Sequence, residues 1–164
     1  MSSARPVTFA QLIADPVLLL AFGFGSGLSP KAPGTAGTVL ALPLVVIAAM
    51  AGKIAFVVIT LVMIVVGVWL CGEAARRLKT HDHPGIVWDE FAGLFVTFLW
   101  FPPGVAELLL GFVLFRIFDI WKPWPIREMD HSIPGGLGIM LDDVIAGVFA
   151  ALVLAVARTV FSLG

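Results

Sequence analysis

The chain has 164 residues, of which 60% are hydrophobic and 13% charged. That length gives room for one domain, residues 1–164, and that composition makes a poor water-soluble protein and points to lipid as the solvent. A net charge of -1 offers no basic face for nucleic acid, and the single cysteine, Cys71, excludes an intramolecular disulfide framework or a cysteine-rich zinc site.

A bilayer core of about 30 Å asks for about 20 apolar residues per helix, and backbone groups in lipid find partners most simply within a helix. The first apolar stretch, residues 17–28, is short and rich in glycine, so it is expected to lie in the interface or re-enter it. No small-residue cleavage site follows it, and a cleaved signal peptide is not expected. Residues 38–50 and 54–71 are charge-free runs separated by Ala51-Gly52-Lys53, and they form a hairpin of two spans. Residues 86–101 make a third span, with Asp89 and Glu90 near its start and Pro102-Pro103-Gly104 as its stop. Residues 105–121 make a fourth, with Arg116 and Asp119 in its last turns before Pro123 and Pro125. Residues 137–161 make the fifth, opened by Gly135-Gly136, with Asp142 and Asp143 in its first turns. The fold class expected is an all-α polytopic membrane protein: a bundle of about five transmembrane helices plus a short N-terminal interfacial or re-entrant helix.

Alternating five spans across the bilayer puts Lys31, Arg76, Arg77, Lys79, Lys122 and Arg127 on one side, and Lys53 and Arg158 on the other. The positive-inside rule makes the first side cytoplasmic. The same alternation carries Asp89, Glu90, Asp119, Asp142 and Asp143 toward that side, although only lysine and arginine entered the sorting. Trp69, Trp88, Trp100, Trp121 and Trp124 fall near expected helix ends, as an aromatic belt requires. Glu107 falls beside a turn of the opposite side, away from the acids.

A carboxylate inside a span costs a few kcal/mol or more and normally faces the bundle interior with a partner. Five of them arriving on three helices suit a hard divalent cation, which prefers oxygen ligands. Capping of helix N-termini is the competing explanation for the acidic pairs, but it fails for Asp119, near a helix C-terminus. Arg116 and Asp119 are three apart and share a helix face, as an ion pair would. Lys122 and Arg127 could neutralise a phosphate or anchor the chain to anionic headgroups. Gly34-Thr35-Ala36-Gly37-Thr38 opens the first clear span; its glycines and hydroxyls could approach a phosphate or serve close helix packing. It lacks the lysine of a nucleotide-binding loop. His81-Asp82-His83 precedes Asp89 and offers a general acid or merely a wet loop, and His131 has still less to suggest a role.

The ordered motifs carry a resemblance. Gly23-Phe24-Gly25-Ser26-Gly27-Leu28-Ser29-Pro30 runs into the Gly34 to Thr38 loop, and His81-Asp82-His83 is followed by Ile86-Val87-Trp88-Asp89-Glu90. Then come Phe115-Arg116-Ile117-Phe118-Asp119-Ile120-Trp121-Lys122-Pro123-Trp124-Pro125-Ile126 and Gly135-Gly136-Leu137-Gly138-Ile139-Met140-Leu141-Asp142-Asp143. Over about residues 21–147 the chain resembles the phosphatidylglycerophosphatase A family of bacterial lipid phosphatases. The resemblance implies Mg²⁺-dependent hydrolysis of phosphatidylglycerophosphate to phosphatidylglycerol at the cytoplasmic leaflet of the inner membrane. In that reading Asp89, Asp119, Asp142 and Asp143 hold Mg²⁺. Glu90 orients or deprotonates water, and Asp89, Asp143, His81 and His83 complete the catalytic set. Arg116, Lys122, Arg127, Thr35, Gly37 and Thr38 grip the phosphate, and an aspartate nucleophile stays open. Two rivals remain: a lipid phosphotransferase, whose usual spaced aspartate run is absent, and a cation- or proton-coupled transporter, whose acids should sit near the midplane.

Overall fold

The structure is a computed structural model that describes residues 7–80, 83–124, 126 and 133–161. Every regular element among these residues is helical. Helix α1 (Phe9–Ala14) is held at its start by a reciprocal capping box between Thr8 and Gln11. Asp15 closes α1 and caps α2 (Pro16–Ala21), accepting the amides of Val17 and Leu18, with Pro16 in the first turn where its missing N–H costs nothing. Six-residue helices reach only about 9 Å, so neither α1 nor α2 is long enough by itself to cross a bilayer. The stretch 17–28 finishes as a kinked 3₁₀ segment, Gly23–Leu28.

Helices α3 (Pro33–Met50) and α4 (Lys53–Leu78) form the expected hairpin. Gly52 turns the chain between them at a φ of 91°, a conformation that costs a residue with a Cβ. Then come α5 (Trp88–Thr97), α6 (Val105–Trp121) and α7 (Gly136–Phe161). Three segments are long and apolar enough to cross a membrane: Pro33–Met50, Lys53–Leu78 and Gly136–Val160. Outward residues such as Ile47, Ile54, Val65 and Val156 are more than half exposed. In water each would forgo about 1.5–3 kcal/mol of burial; in lipid it forgoes nothing.

The expected span 86–101 is shortened to the 10 residues of α5. From Phe91 through Thr97 every residue of α5 is buried, so protein surrounds it on all sides. Backbone walled in by neighbours can leave the helical path at membrane depth without meeting lipid. α7 packs against α4, α5 and α6 and is the centre of the bundle. Its crossing with α5 is close because both sides are glycine: a Cβ on Gly147 would run into the Gly93 carbonyl. A Cβ on Gly93 would lie 2.6 Å from the carbonyl oxygen of Asp143. Phe91, Phe95, Phe98, Phe115, Ala150 and Leu154 fill the core around this crossing. Two buried helical hydroxyls turn inward on their own backbone, Thr60 to Phe56 and Thr97 to Gly93, so neither is left unpaired in an apolar setting.

The N-terminal helices seat on the end of the bundle where α4 finishes and α5 begins. Arg77 Nη1 lies 2.6 Å from Asp15 Oδ1, and the Val87 amide donates to the Ala21 carbonyl at 2.8 Å. Cys71 is buried, its sulfur 3.8 Å from that of Met140. Trp69, Trp100, Trp121 and Trp124 are exposed. Trp88 departs from that belt: its indole N–H donates to the Met63 carbonyl at 3.1 Å, which makes it a packing residue between α5 and α4. Glu107, in the first turn of α6, is buried.

Candidate metal and phosphate site

Three helix ends meet where the acids lie. Asp89 and Glu90 occupy the first turn of α5, Asp143 the second turn of α7, and Arg116 and Asp119 the last turns of α6. The glycine crossing of α5 and α7 brings Asp143 over the start of α5. As a result, carboxylate oxygens of Asp89, Glu90 and Asp143 all lie within 4.8 Å of one another. Asp143 is 3% exposed and Asp89 9%. Asp119 is close enough to both Asp143 and Glu90 for their charges to act on each other.

Cations stand around this cluster. Arg116 is ion-paired with Asp119, donates through Nη1 to the Thr38 hydroxyl at 3.4 Å, and lies 4.0 Å from Glu90 Oε1. Lys122, at the C-cap of α6, holds Asp142 Oδ2 at 2.6 Å. Glu90 Oε2 is buried and has no hydrogen-bond partner among the described residues. An orphaned buried acceptor costs about 1–3 kcal/mol, more when charged. A cation set among these three oxygen donors would satisfy that atom and neutralise part of the crowded negative charge. The all-oxygen donor set fits Mg²⁺, Mn²⁺ or Ca²⁺ and does not fit a thiolate-seeking metal.

The expected site residues divide accordingly. The structure brings together Asp89, Glu90, Asp143, Asp119, Arg116 and Thr38, whereas Asp142 is turned to Lys122. Thr38 also donates to the Gly34 carbonyl at 2.8 Å. Gly37 packs on Val87, where a Cβ would lie 2.8 Å from the valine Cβ, and Thr35 faces away into an open cleft on the far side of α3. His83 is buried in the turn before α5; its Nδ1 accepts the Gly85 amide at 3.0 Å and its ring lies 5.4 Å from that of Phe22. His81, Arg127 and His131 fall outside the described residues.

The residue whose part sequence reasoning missed is Gly34. A Cβ there would run into Glu90 Oε1 and come within 3.3 Å of Arg116 Nη1, so the glycine makes room for the acid–base pair. The signal was present: Gly34, Thr38, Ala41 and Val45 are spaced along one face of α3, a small-residue stripe of the kind that lets membrane helices approach closely.

The description "Phosphatidylglycerophosphatase A" belongs to the family model that matches residues 19–158, a stretch that contains every residue of this cluster. A protein of that name from Escherichia coli (strain K12) is 44% identical over 143 residues, covering 87% of this chain and 83% of the relative. Another from Haemophilus influenzae is 40% identical over 159 residues, covering 94% and 95%. No solved structure matches the chain. Likeness of this extent, with the acidic cluster inside the matched stretch, shows that the chain belongs to the phosphatidylglycerophosphatase A family of enzymes.

Proposed function

We propose that this chain removes the terminal phosphate of phosphatidylglycerophosphate, giving phosphatidylglycerol and inorganic phosphate, with Mg²⁺ as its cofactor. The observation that carries the reading is the cluster of Asp89, Glu90 and Asp143 with Arg116 fixed beside it. Those three carboxylates are the ones to hold the cation. Bound there, it would supply Lewis-acid charge to the phosphoryl oxygens. Asp119 aims the Arg116 fork, and Asp142 holds Lys122, so each acid outside the cluster positions a base that can meet phosphate oxygens. Water attacks phosphorus, its oxygen forming the new P–O bond as the bond to the glycerol oxygen breaks. Glu90, through the carboxylate oxygen that does not hold the cation, takes the proton of the attacking water. The departing glycerol oxygen takes its proton from headgroup water.

The surrounding bilayer is the bacterial inner membrane, with the site at its cytoplasmic face, as the lysine and arginine distribution supports. In this reading α5 and α6, with the turns beyond them, complete five passes. The test is phosphate release from phosphatidylglycerophosphate in mixed micelles by the purified protein, with Mg²⁺ and with a chelator. Release is expected only with the metal. A folded protein that releases nothing in Mg²⁺ ends the phosphatase reading, and full activity in chelator ends its metal part.

A further inference from the structure

On the side of α3 opposite the carboxylates lies a second feature that the reaction above does not use. It is an open cleft of about 610 Å³. At its upper end stand Lys31 and Thr35; below them Ala36, Val39, Leu40 and Pro43 line it. From Thr35 to Pro43 the helix descends about 12 Å, and over that length the lining changes from cationic and hydroxylic to wholly apolar. Pro43 lacks the N–H that would bond the Val39 carbonyl, so that carbonyl is without its usual helical donor within the cleft.

The Lys31 end is shaped by its own loop. The Ser29 hydroxyl donates to the Lys31 carbonyl at 2.8 Å, and Ala32 turns into α3 at a φ of 47°, a left-handed conformation unfavourable for a residue with a Cβ. Among the described residues Lys31 has no carboxylate partner, whereas Arg77, Arg116 and Lys122 each have one. The Thr35 hydroxyl likewise makes no hydrogen bond among them. Gly34 and Thr35 are consecutive, and consecutive helical residues point about 100° apart. One touches Glu90 and the other the cleft, so the first turn of α3 is the wall shared by both places.

We infer that this cleft holds the internal phosphodiester and one acyl chain of the lipid substrate, with Lys31 reading the phosphodiester. The inference rests on the phosphatase reading, because that lipid has two phosphates of different kind. The terminal monoester is cleaved in the carboxylate cluster. The internal diester is retained, and beyond it hang the acyl chains. A site that meets both must offer a second cation one short step from the first, followed by an apolar track. The cleft has that order of chemistry, from Lys31 and Thr35 to Val39, Leu40 and Pro43. Lys31 then distinguishes this lipid from a phosphatidic acid, whose single phosphate is a monoester with no diester beyond it.

The test uses the purified full chain in mixed micelles, with KM and kcat measured on phosphatidylglycerophosphate and on phosphatidic acid carrying the same chains. For Lys31→Gln, KM on phosphatidylglycerophosphate rises roughly tenfold, as for loss of one charge-assisted hydrogen bond. Its kcat stays within about twofold, and the preference over phosphatidic acid shrinks by the same factor as KM rises. Lys31→Arg restores most of the KM, and Val39→Trp raises KM for long-chain but not for deacylated substrate. If the wild type is active and Lys31→Gln keeps its KM and preference, the cleft holds bulk lipid only and the inference fails while the phosphatase reading stands. If kcat collapses and Lys31→Arg gives no rescue, Lys31 is structural and the inference also fails. A wild type that releases no phosphate overturns both.

Discussion

Helices α4 and α5 are neighbours in sequence, both strongly apolar, and obey different rules. α4 runs 26 residues and shows Ile54, Val65 and Trp69 to the outside, so its length and composition answer to lipid. α5 runs 10 residues, is enclosed by α3, α4, α6 and α7, and answers only to those neighbours. The long helix carries no acid of the site, and the short enclosed one carries two in its first turn. Enclosure is what makes the chemistry affordable: carboxylates that lipid would reject can persist where other helices supply cations and exclude acyl chains.

The largest effect expected from the enclosed side is that of Asp143→Asn. Phosphate release should fall by at least about a hundredfold, the scale for losing one preorganised charge at a reacting phosphate. Helical content and Tm should be kept, because the change removes a charge from a crowd of like charges. Activity within a few-fold of wild type would remove Asp143 from the site. Next comes the crossing itself. Gly147→Leu forces a side chain against the Gly93 carbonyl and should cost about 1–3 kcal/mol in unfolding. On the lipid face of α4, Val65→Leu should change stability by less than about 0.5 kcal/mol. Equal effects at the two positions would erase the distinction between the enclosed and the lipid-facing helix.

Arg116→Lys is a milder change at the same site. The Arg116 guanidinium reaches Asp119, Thr38 and the neighbourhood of Glu90 together, a spread that a single ammonium cannot match. A drop of roughly tenfold in kcat/KM is expected, read against unchanged helical content. An unaltered kcat/KM would mean that Arg116 serves only to hold Asp119.

This contrast also explains what the sequence could and could not show. Spans bordered by lipid were readable: the hairpin of α3 and α4, and α7, follow from run length and glycine punctuation. The acids expected together are together, with Asp89, Glu90 and Asp143 within 4.8 Å of one another, and the pairing of Arg116 with Asp119 followed from their spacing on one face. The end of α5 was hidden, since Phe98 to Phe101 are as apolar as the helix they follow and hydropathy does not see where protein replaces lipid. Nor was the division of labour between Asp142 and Asp143 readable. Adjacent helical residues differ by about 100° in direction, and it is the closeness of α5 at Gly93 that turns Asp143 to the cluster and leaves Asp142 to Lys122. Glu90 gains its place from the absence of a side chain on Gly34, on a helix more than fifty residues away in sequence.

The smallest effect is expected where the N-terminal helices rest on the exposed end of α4. Burial pushes the Asp15 carboxyl up, but Arg77 and the Leu18 and Val17 amides together outweigh it and hold Asp15 below the usual carboxylate range. A carboxyl depressed in the folded state binds protons less readily than in the unfolded chain. Its stabilisation is therefore complete above the unfolded value, about 4, and fades as pH falls from there through the folded value. The pair is partly solvent-exposed, with Arg77 37% and Asp15 23% accessible, so the effect is screened. Asp15→Asn should lower Tm by less than about 3 °C at pH 7 and by almost nothing near pH 3, where the wild-type carboxyl is losing its charge. Phosphate release should stay within about twofold, because the contact lies outside the enclosed cluster. Equal loss of Tm at both pH values would show that Asp15 acts as a neutral cap of α2, and that its charge plays no part in joining the N-terminal helices to α4.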